Sequence, residues 1–327
     1  MLAAYYDRTG PADEVLRIAE LPTPIAGPGE VRVKVRWSGV NPSDVKSRLG
    51  SRGPVPAGTL VIPHSDGMGE IESVGPGVDA SRIGERVWIW NAAWGRPHGT
   101  AAQYVVLPQA QAVTMPAGVP DEAGACLGIP ALTALHSLLT DGGVAGQRVL
   151  VAGGAGAVGH YAIQFARLLG AREVLTTVSS AEKSDLALQA GATATINYRT
   201  ENTVQRIQEL TDGAGIDRII EVDIAANATL NQAIMRAGGH WVIYGSGARE
   251  FSMPFFPMIA KAALLRFFIV YSLTPAERET AHAQLAGFLN RGALQHHIGA
   301  RVPLAQIAQA HQWVEQGTVT GNVVLSL

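Results

Sequence analysis

The run Gly153-Gly154-Ala155-Gly156-Ala157-Val158-Gly159 lies between a short apolar strand pattern and an amphipathic helix pattern, and it constrains this chain more than any other stretch. Before it stands Arg148-Val149-Leu150-Val151-Ala152, β-rich and short enough to be buried in a parallel sheet. After it, Val158, Ala162, Ala166 and Leu169 recur on one helical face, and Gly170 supplies a natural stop. A strand, a glycine turn and a helix start aim backbone N–H groups and the positive end of a helix dipole at one point, which suits a pyrophosphate. Glycines at this spacing also occur in ordinary tight turns, so the flanking elements carry the reading that the chain binds a dinucleotide.

The rest of the chain sets the frame. Its 327 residues suffice for two domains, and 47% hydrophobic against 16% charged residues describes a packed chain rather than a disordered one. A net charge of −2 without a basic run argues against nucleic-acid or anionic-membrane binding. The start, Met1 to Arg8, lacks the order of a secretory signal. Phe255–Leu273, the most apolar stretch, is interrupted by Lys261 and Arg266, so no membrane span is expected and a cytoplasmic address is the default. A lone Cys126 excludes an intrachain disulfide and any multi-cysteine metal site within one subunit.

Organisation follows from periodicity. Val31–Trp37 alternates apolar and charged residues, and Gly69–Val74, Arg86–Trp90 and Gln103–Leu107 add short strands between glycine and proline turns, as in an antiparallel barrel. From about Pro116–Asp121 helical patterns alternate with strands at Val149–Ala152, Glu173–Val178, Ala194–Asn197, Asp217–Val222, Trp241–Tyr244 and Phe267–Tyr271, as in a doubly wound parallel sheet. The stretch from about Leu294 returns to strand character. The predicted fold class is therefore α/β plus β, divided as residues 1–118, 119–293 and 294–327, the last rejoining the first. The crevice between two such domains is the expected binding site.

The second strand of the parallel sheet ends Val178-Ser179-Ser180, without the carboxylate that would hold the adenosine ribose of NAD. Two hydroxyls and Lys183 instead suit a 2′-phosphate, which predicts NADPH, although Ser179-Ser180 also reads as a helix cap.

Taken together the motifs resemble the zinc-free quinone oxidoreductase, zeta-crystallin-like branch of the medium-chain dehydrogenase/reductase superfamily. The resemblance rests on Gly39-Val40-Asn41-Pro42-Ser43-Asp44, Ser65-Asp66-Gly67-Met68-Gly69-Glu70, Gly84-Glu85-Arg86-Val87, Gly128-Ile129-Pro130-Ala131-Leu132-Thr133, the glycine loop, and Gly238-Gly239 before Val242-Ile243-Tyr244-Gly245. It implies a GroES-like barrel domain joined to a Rossmann domain. It also implies that Asn41 and Thr133 lie by the nicotinamide ribose, Gly153, Gly156, Ala157, Val158 and Gly159 by the pyrophosphate, and Ser179, Ser180, Lys183 and Tyr198 by the 2′-phosphate. Tyr244, Gly245 and Ser246 fall in the loop beside the nicotinamide.

Alcohol dehydrogenases of the superfamily hold a catalytic zinc at places that Asn41, Ser65 and Ile129 take here, so no metal is expected. His64 lies one residue from the histidine place, without companions. Hydride delivery to a quinone, or to an enone or alkenal double bond, is the chemistry implied. A nucleotide-binding protein with little catalytic role is the rival from another class. Pocket candidates are Asn41, Asp44, Lys46, Trp94, His98 and Tyr271, none of them a clear general acid; Lys46 and Arg52 stand where relatives carry tyrosines. Phe267–Tyr271 reads as an apolar edge strand, which predicts a homodimer.

Overall fold

The computed structural model describes residues 1–327. The chain divides into two compact units, one formed by 1–130 with 286–327 and the other by 131–285.

The first unit is built from β1 (Leu2–Tyr5), β2 (Arg17–Glu20), β3 (Glu30–Val40), β4 (Asp66–Val74), β5 (Arg86–Ile89), β6 (Tyr104–Pro108) and β7 (Ala112–Thr114). The second holds β8 (Arg148–Val151), β9 (Glu173–Val178), β10 (Ala194–Asn197), β11 (Ile216–Glu221), β12 (Met235–Ile243) and β13 (Leu264–Phe267), and the first is completed by β14 (Ile298–Pro303) and β15 (Asn322–Ser326).

In the first unit the order is β14-β15-β3-β4-β5-β7, with β6 on β3. The pairings are antiparallel except for β14 on β15. The period-2 pattern of β3 explains its place: Val31, Val33 and Val35 are buried while Lys34 and Arg36 are exposed, so one face meets the core formed with Ile71, Val87, Ile89, Val105 and Leu107. A second cluster gathers Ala3, Ala4, Val40, Ile62, Ala101, Val323 and Leu325. The C-terminal β15 thus completes the sheet that the N-terminal strands begin.

The junctions differ from the sequence-predicted ones after residues 118 and 293. Texture changes at Pro116, but the first helical turn beyond it, Asp121–Gly124, remains tied to barrel strands. Asp121 pairs with Arg36 and Arg86, and Glu122 with Arg301.

The second unit is an all-parallel six-stranded sheet in the order β10-β9-β8-β11-β12-β13. That is the strand order 3-2-1-4-5-6 of a Rossmann fold, with its switch point between β8 and β11. Strands flanked on both sides are buried nearly throughout: Val149, Leu150, Val151, Ile219, Ile220, Trp241 and Val242 have almost no exposed surface. β12 begins at Met235, earlier than the predicted Trp241. The last strand also differs from prediction: it covers Leu264–Phe267, and Val270–Ser272 is a 3₁₀ turn. The ladder stops where its partner does, since β12 ends at Ile243 opposite Phe267, and beyond it Arg278 Nη2 donates to the Val270 carbonyl at 2.9 Å and holds the 3₁₀ turn. No helix is long and apolar enough to cross a membrane.

Candidate cofactor loops and acceptor cavity

In the parallel-sheet unit, four loops at the C-terminal ends of strands meet at the switch point. The first follows β8. Gly153 has φ +70°, a left-handed conformation that glycine adopts without cost. A Cβ on Gly159 would collide with the Gly153 carbonyl, so the helix Ala157–Leu168 starts directly on the turn only with glycine there. Gly156 is its exposed N-cap, and Ala157 and Val158 form its first, half-buried turn. Free N–H groups at this helix start face the region a pyrophosphate would fill.

The loop after β9 anchors the first: the Gly153 N–H donates to Thr177 Oγ1 at 3.0 Å and the Gly154 N–H to the Thr177 carbonyl at 3.1 Å. Ser180 Oγ caps the next helix by accepting the Lys183 N–H, while Lys183 Nζ donates to Ser179 Oγ at 3.1 Å. The cap and the polar cluster expected at Ser179-Ser180 are thus one arrangement. Glu182 is exposed. The Tyr198 N–H bonds the Val178 carbonyl at 3.1 Å, which sets its exposed ring next to this cluster.

The loops after β11 and β12 complete the set. Val222 packs 3.8 Å from the position of a Gly153 Cβ, and the Ile224 N–H donates to the Gly245 carbonyl. Two acids that the sequence reading missed hold Tyr244-Gly245-Ser246 in place. Buried Glu221 accepts from the Asp223 N–H, Asn227 Nδ2 and Asn231 Nδ2, and Asp223 Oδ1 accepts the Gly247 N–H at 2.7 Å. Burial holds the Tyr244 hydroxyl well above its ordinary pKa, so it remains a neutral donor. Thr133 is buried in the helix Leu132–Leu139. Tyr271 is buried in the 3₁₀ turn of this unit instead of ending a strand.

The barrel unit contributes a second group. Asn41 and Asp44 begin the short helix Pro42–Arg48, where Asp44 Oδ2 accepts the Asn41 N–H at 2.8 Å. Asn41 Nδ2 and the Ile129 N–H both donate to Asp66 Oδ2, at 3.0 and 3.1 Å. Asp66 is completely buried, and desolvation raises its carboxyl well above the usual range. Two of the three places that hold zinc in alcohol dehydrogenases are therefore tied to one carboxyl oxygen by hydrogen bonds. An amide, a hydroxyl and an aliphatic chain do not make a zinc site, and no group of three or more His, Cys, Asp or Glu side chains is placed to hold a metal ion. The residues do not fit a catalytic zinc.

His64, the displaced candidate, is engaged elsewhere. Its Nδ1 lies 2.8 Å from Ser38 Oγ and its Nε2 2.9 Å from His311 Nε2, with its backbone in the left-handed region at φ +76°.

Asp44 opens onto a cavity of about 210 Å³ whose walls include Tyr6, Ser47, Arg52, His64 and Arg96. Burial pushes the Asp44 carboxyl up to about 7, against the opposing pull of the Asn41 N–H and the Arg52 charge. Tyr6 is pushed up to about 12, chiefly by burial and then by Asp44. The Arg52 guanidinium lies over the Trp94 ring at 4.6 Å, so Trp94 touches a wall residue without lining the cavity itself. Lys46 is exposed on the far side of the turn and does not line the cavity. His98 lines a different hollow, with Leu21, Pro24, Leu60 and Ile62. The structure therefore gathers Asn41, Asp44 and Trp94, and adds Tyr6, Arg52, Asp66 and Arg96. Asp66 was visible only as a member of a motif, and nothing in the local pattern signalled Tyr6 or Arg96.

Comparison with known proteins follows the same division. A family model described as alcohol dehydrogenase GroES-like domain matches residues 27–117, and one described as zinc-binding dehydrogenase matches residues 157–287. A curated quinone oxidoreductase of Homo sapiens is 31% identical over 319 residues, covering 96% of this chain and 94% of its own. A 2-haloacrylate reductase of Burkholderia sp. is 28% identical over 340 residues, covering 99% and 98%. Among solved structures, a mycobacterial protein complexed with NADPH superposes with a TM-score of 0.89 at 30% identity over the whole of both chains.

Proposed function

Because the chain belongs to the quinone oxidoreductase family of the medium-chain dehydrogenase/reductase superfamily, we propose that it reduces a quinone-type acceptor with NADPH and without a bound metal ion. The observation that carries the cofactor choice is the Ser179–Ser180–Lys183 cluster at the end of β9, where hydroxyls and an ammonium group stand in place of a carboxylate. Gly153, Gly156, Ala157, Val158 and Gly159 hold the pyrophosphate, Tyr198 flanks the 2′-phosphate, and Thr133, Tyr244, Gly245 and Ser246 line the nicotinamide end. NADPH bound in this way supplies a hydride. The reaction also consumes one proton, and we assign that proton to Asp44, the acid of the cavity, which keeps it up to about pH 7. Asn41 holds Asp44 and Asp66 in register. Without a metal, an acceptor that spreads charge over a conjugated oxygen is the easier partner.

Reduction of an activated carbon–carbon double bond is the second reading, favoured by the likeness to a 2-haloacrylate reductase. It uses the same cofactor contacts and the same proton.

The chain pairs as a homodimer through β13, an edge strand on which Leu264 and Phe267 are exposed, with Ile269 just beyond. Sedimentation at micromolar concentration is expected to give twice the chain mass; a monomer overturns the pairing.

Titration with NADPH and NADH, elemental analysis for zinc, and steady-state assays with a quinone and a short enone test the main reading. Turnover requiring stoichiometric zinc, or no NADPH binding, refutes it.

A further inference from the structure

The cavity in the barrel unit has an unusual charge balance for a site that is to receive a neutral quinone. Two of its wall residues are arginines, Arg52 and Arg96, and the sole acid among the lining residues is Asp44. Both guanidiniums are held in position from behind. Arg52 lies over the Trp94 ring, and Arg96 Nη2 donates to the neutral amide of Gln111 at 2.7 Å. Arg96 is half-buried, its direct hydrogen-bond partner is a neutral amide, and Glu30 opposes its charge only at longer range, outside the cavity lining. Around them stand the Tyr6 and Ser47 hydroxyls and the apolar Val55, Val61 and Pro63.

We infer that the acceptor of this cavity carries a carboxylate next to its reducible double bond or ring, and that Arg52 and Arg96 bind it. This rests on the reductase reading above and narrows its substrate class. A guanidinium fork matches a planar carboxylate through two parallel N–H···O bonds, Arg52 from the exposed rim of the hollow and Arg96 from its half-buried wall. At about 210 Å³ the hollow accommodates a small conjugated acid. The carboxylate end fixes the ligand against the arginine wall, so the conjugated carbon is left facing away from it. Reduction adds hydride to one carbon and a proton to its neighbour, leaving the carboxylate unchanged.

Two measurements test this on the full-length protein. Binding is read by isothermal titration with benzoate and benzamide, which differ in charge and need no turnover. Benzoate is expected to bind roughly tenfold more tightly. Arg52→Met and Arg96→Met should each abolish that preference, and Arg52→Lys should restore part of it. Equal binding of the two probes, or an unchanged preference in both methionine variants, overturns the inference.

Turnover is then compared for 2-chloroacrylate and its amide with NADPH. A lower KM for the acid that rises in the arginine variants supports the inference; equal KM values overturn it. If benzoate binds as expected but no quinone or alkene is reduced, the binding site stands and the reductase reading fails.

Discussion

The Nε2 atoms of His64 and His311 lie 2.9 Å apart in the barrel core, and both rings are buried. Their protons can be placed by elimination. Thr100 Oγ1 spends its proton on the Asp66 carbonyl, so the Ser38 hydroxyl must donate to Thr100, and Ser38 Oγ must accept from His64 Nδ1–H. Burial holds His64 neutral, with its pKa near 3, so its Nε2 is bare and accepts from His311 Nε2–H. One directed chain of hydrogen bonds therefore runs from His311 to Asp66; both ring nitrogens of His64 are committed to it, while His311 Nδ1 is buried without a partner, so a second proton on either ring would be unsolvated or would break the chain.

Acid should consequently unlock this core. His64 and His311 have folded pKa values below the unfolded value of 6.5, His64 at about 3. Their contribution is complete above pH 6.5 and is lost as pH falls toward the folded values. Melting temperature should drop between pH 6.5 and 4, with His240, His282 and His296 adding to the slope. His311→Gln keeps an N–H donor for His64 and removes one titrating ring, so its slope should be shallower; an identical slope refutes the account.

Asp44 works in the opposite sense. Its carboxyl is raised from 3.8 to about 7, so the favourable neutral form is complete below pH 4 and is lost as pH rises through 7. Asp44→Asn remains neutral throughout and its amide oxygen still accepts the Asn41 N–H. At pH 8 it should be more stable than the parent by on the order of 1–3 kcal/mol, measured by urea unfolding. At pH 6 its turnover should fall at least about tenfold if Asp44 delivers the proton.

Lys183 is expected to discriminate between the two nicotinamide nucleotides. Lys183→Glu places a carboxylate beside Ser179, so the dissociation constant for NADPH should rise by about tenfold or more, with little change for NADH. Fluorescence titration with both cofactors reads this directly, and equal effects would remove the 2′-phosphate assignment.

Arg218 is a buried residue of β11 and donates to the Thr140 and Asp141 carbonyls at 2.8 and 3.2 Å, just past the helix Leu132–Leu139. Arg218→Met fills the space but leaves those carbonyls without partners. A loss of about 2–4 kcal/mol is expected in urea unfolding, and an unperturbed midpoint would show that water replaces the guanidinium.

What could be read beforehand was whatever depends on local pattern. The Gly153–Gly159 turn, the alternation of β3 and the Ser179–Lys183 cap are each written within a few consecutive residues. The cavity proposed for the acceptor is different. Tyr6, the stretch from Asp44 to Arg52, and Arg96 belong to three separated segments, and only the folding of the barrel unit brings them to one hollow. Pairing between distant segments also explains why the helical turn at Asp121 stays with the barrel, since Arg36, Arg86 and Arg301 hold its acids from three other strands or their ends. The different end of the last parallel strand has the same origin: its partner β12 ends at Ile243, opposite Phe267, and Arg278 takes up the Val270 and Tyr271 carbonyls beyond it.

The insertion of β15 beside β3 has a consequence for how this molecule is made. During synthesis the ribosome releases the first hundred residues long before their missing neighbour strand exists, so the barrel waits with β3 unzipped along one side. The parallel-sheet unit, contiguous in the chain, is free to fold in the meantime. The barrel unit is thus the last to close, and chaperones have most reason to attend to nascent chains in that interval.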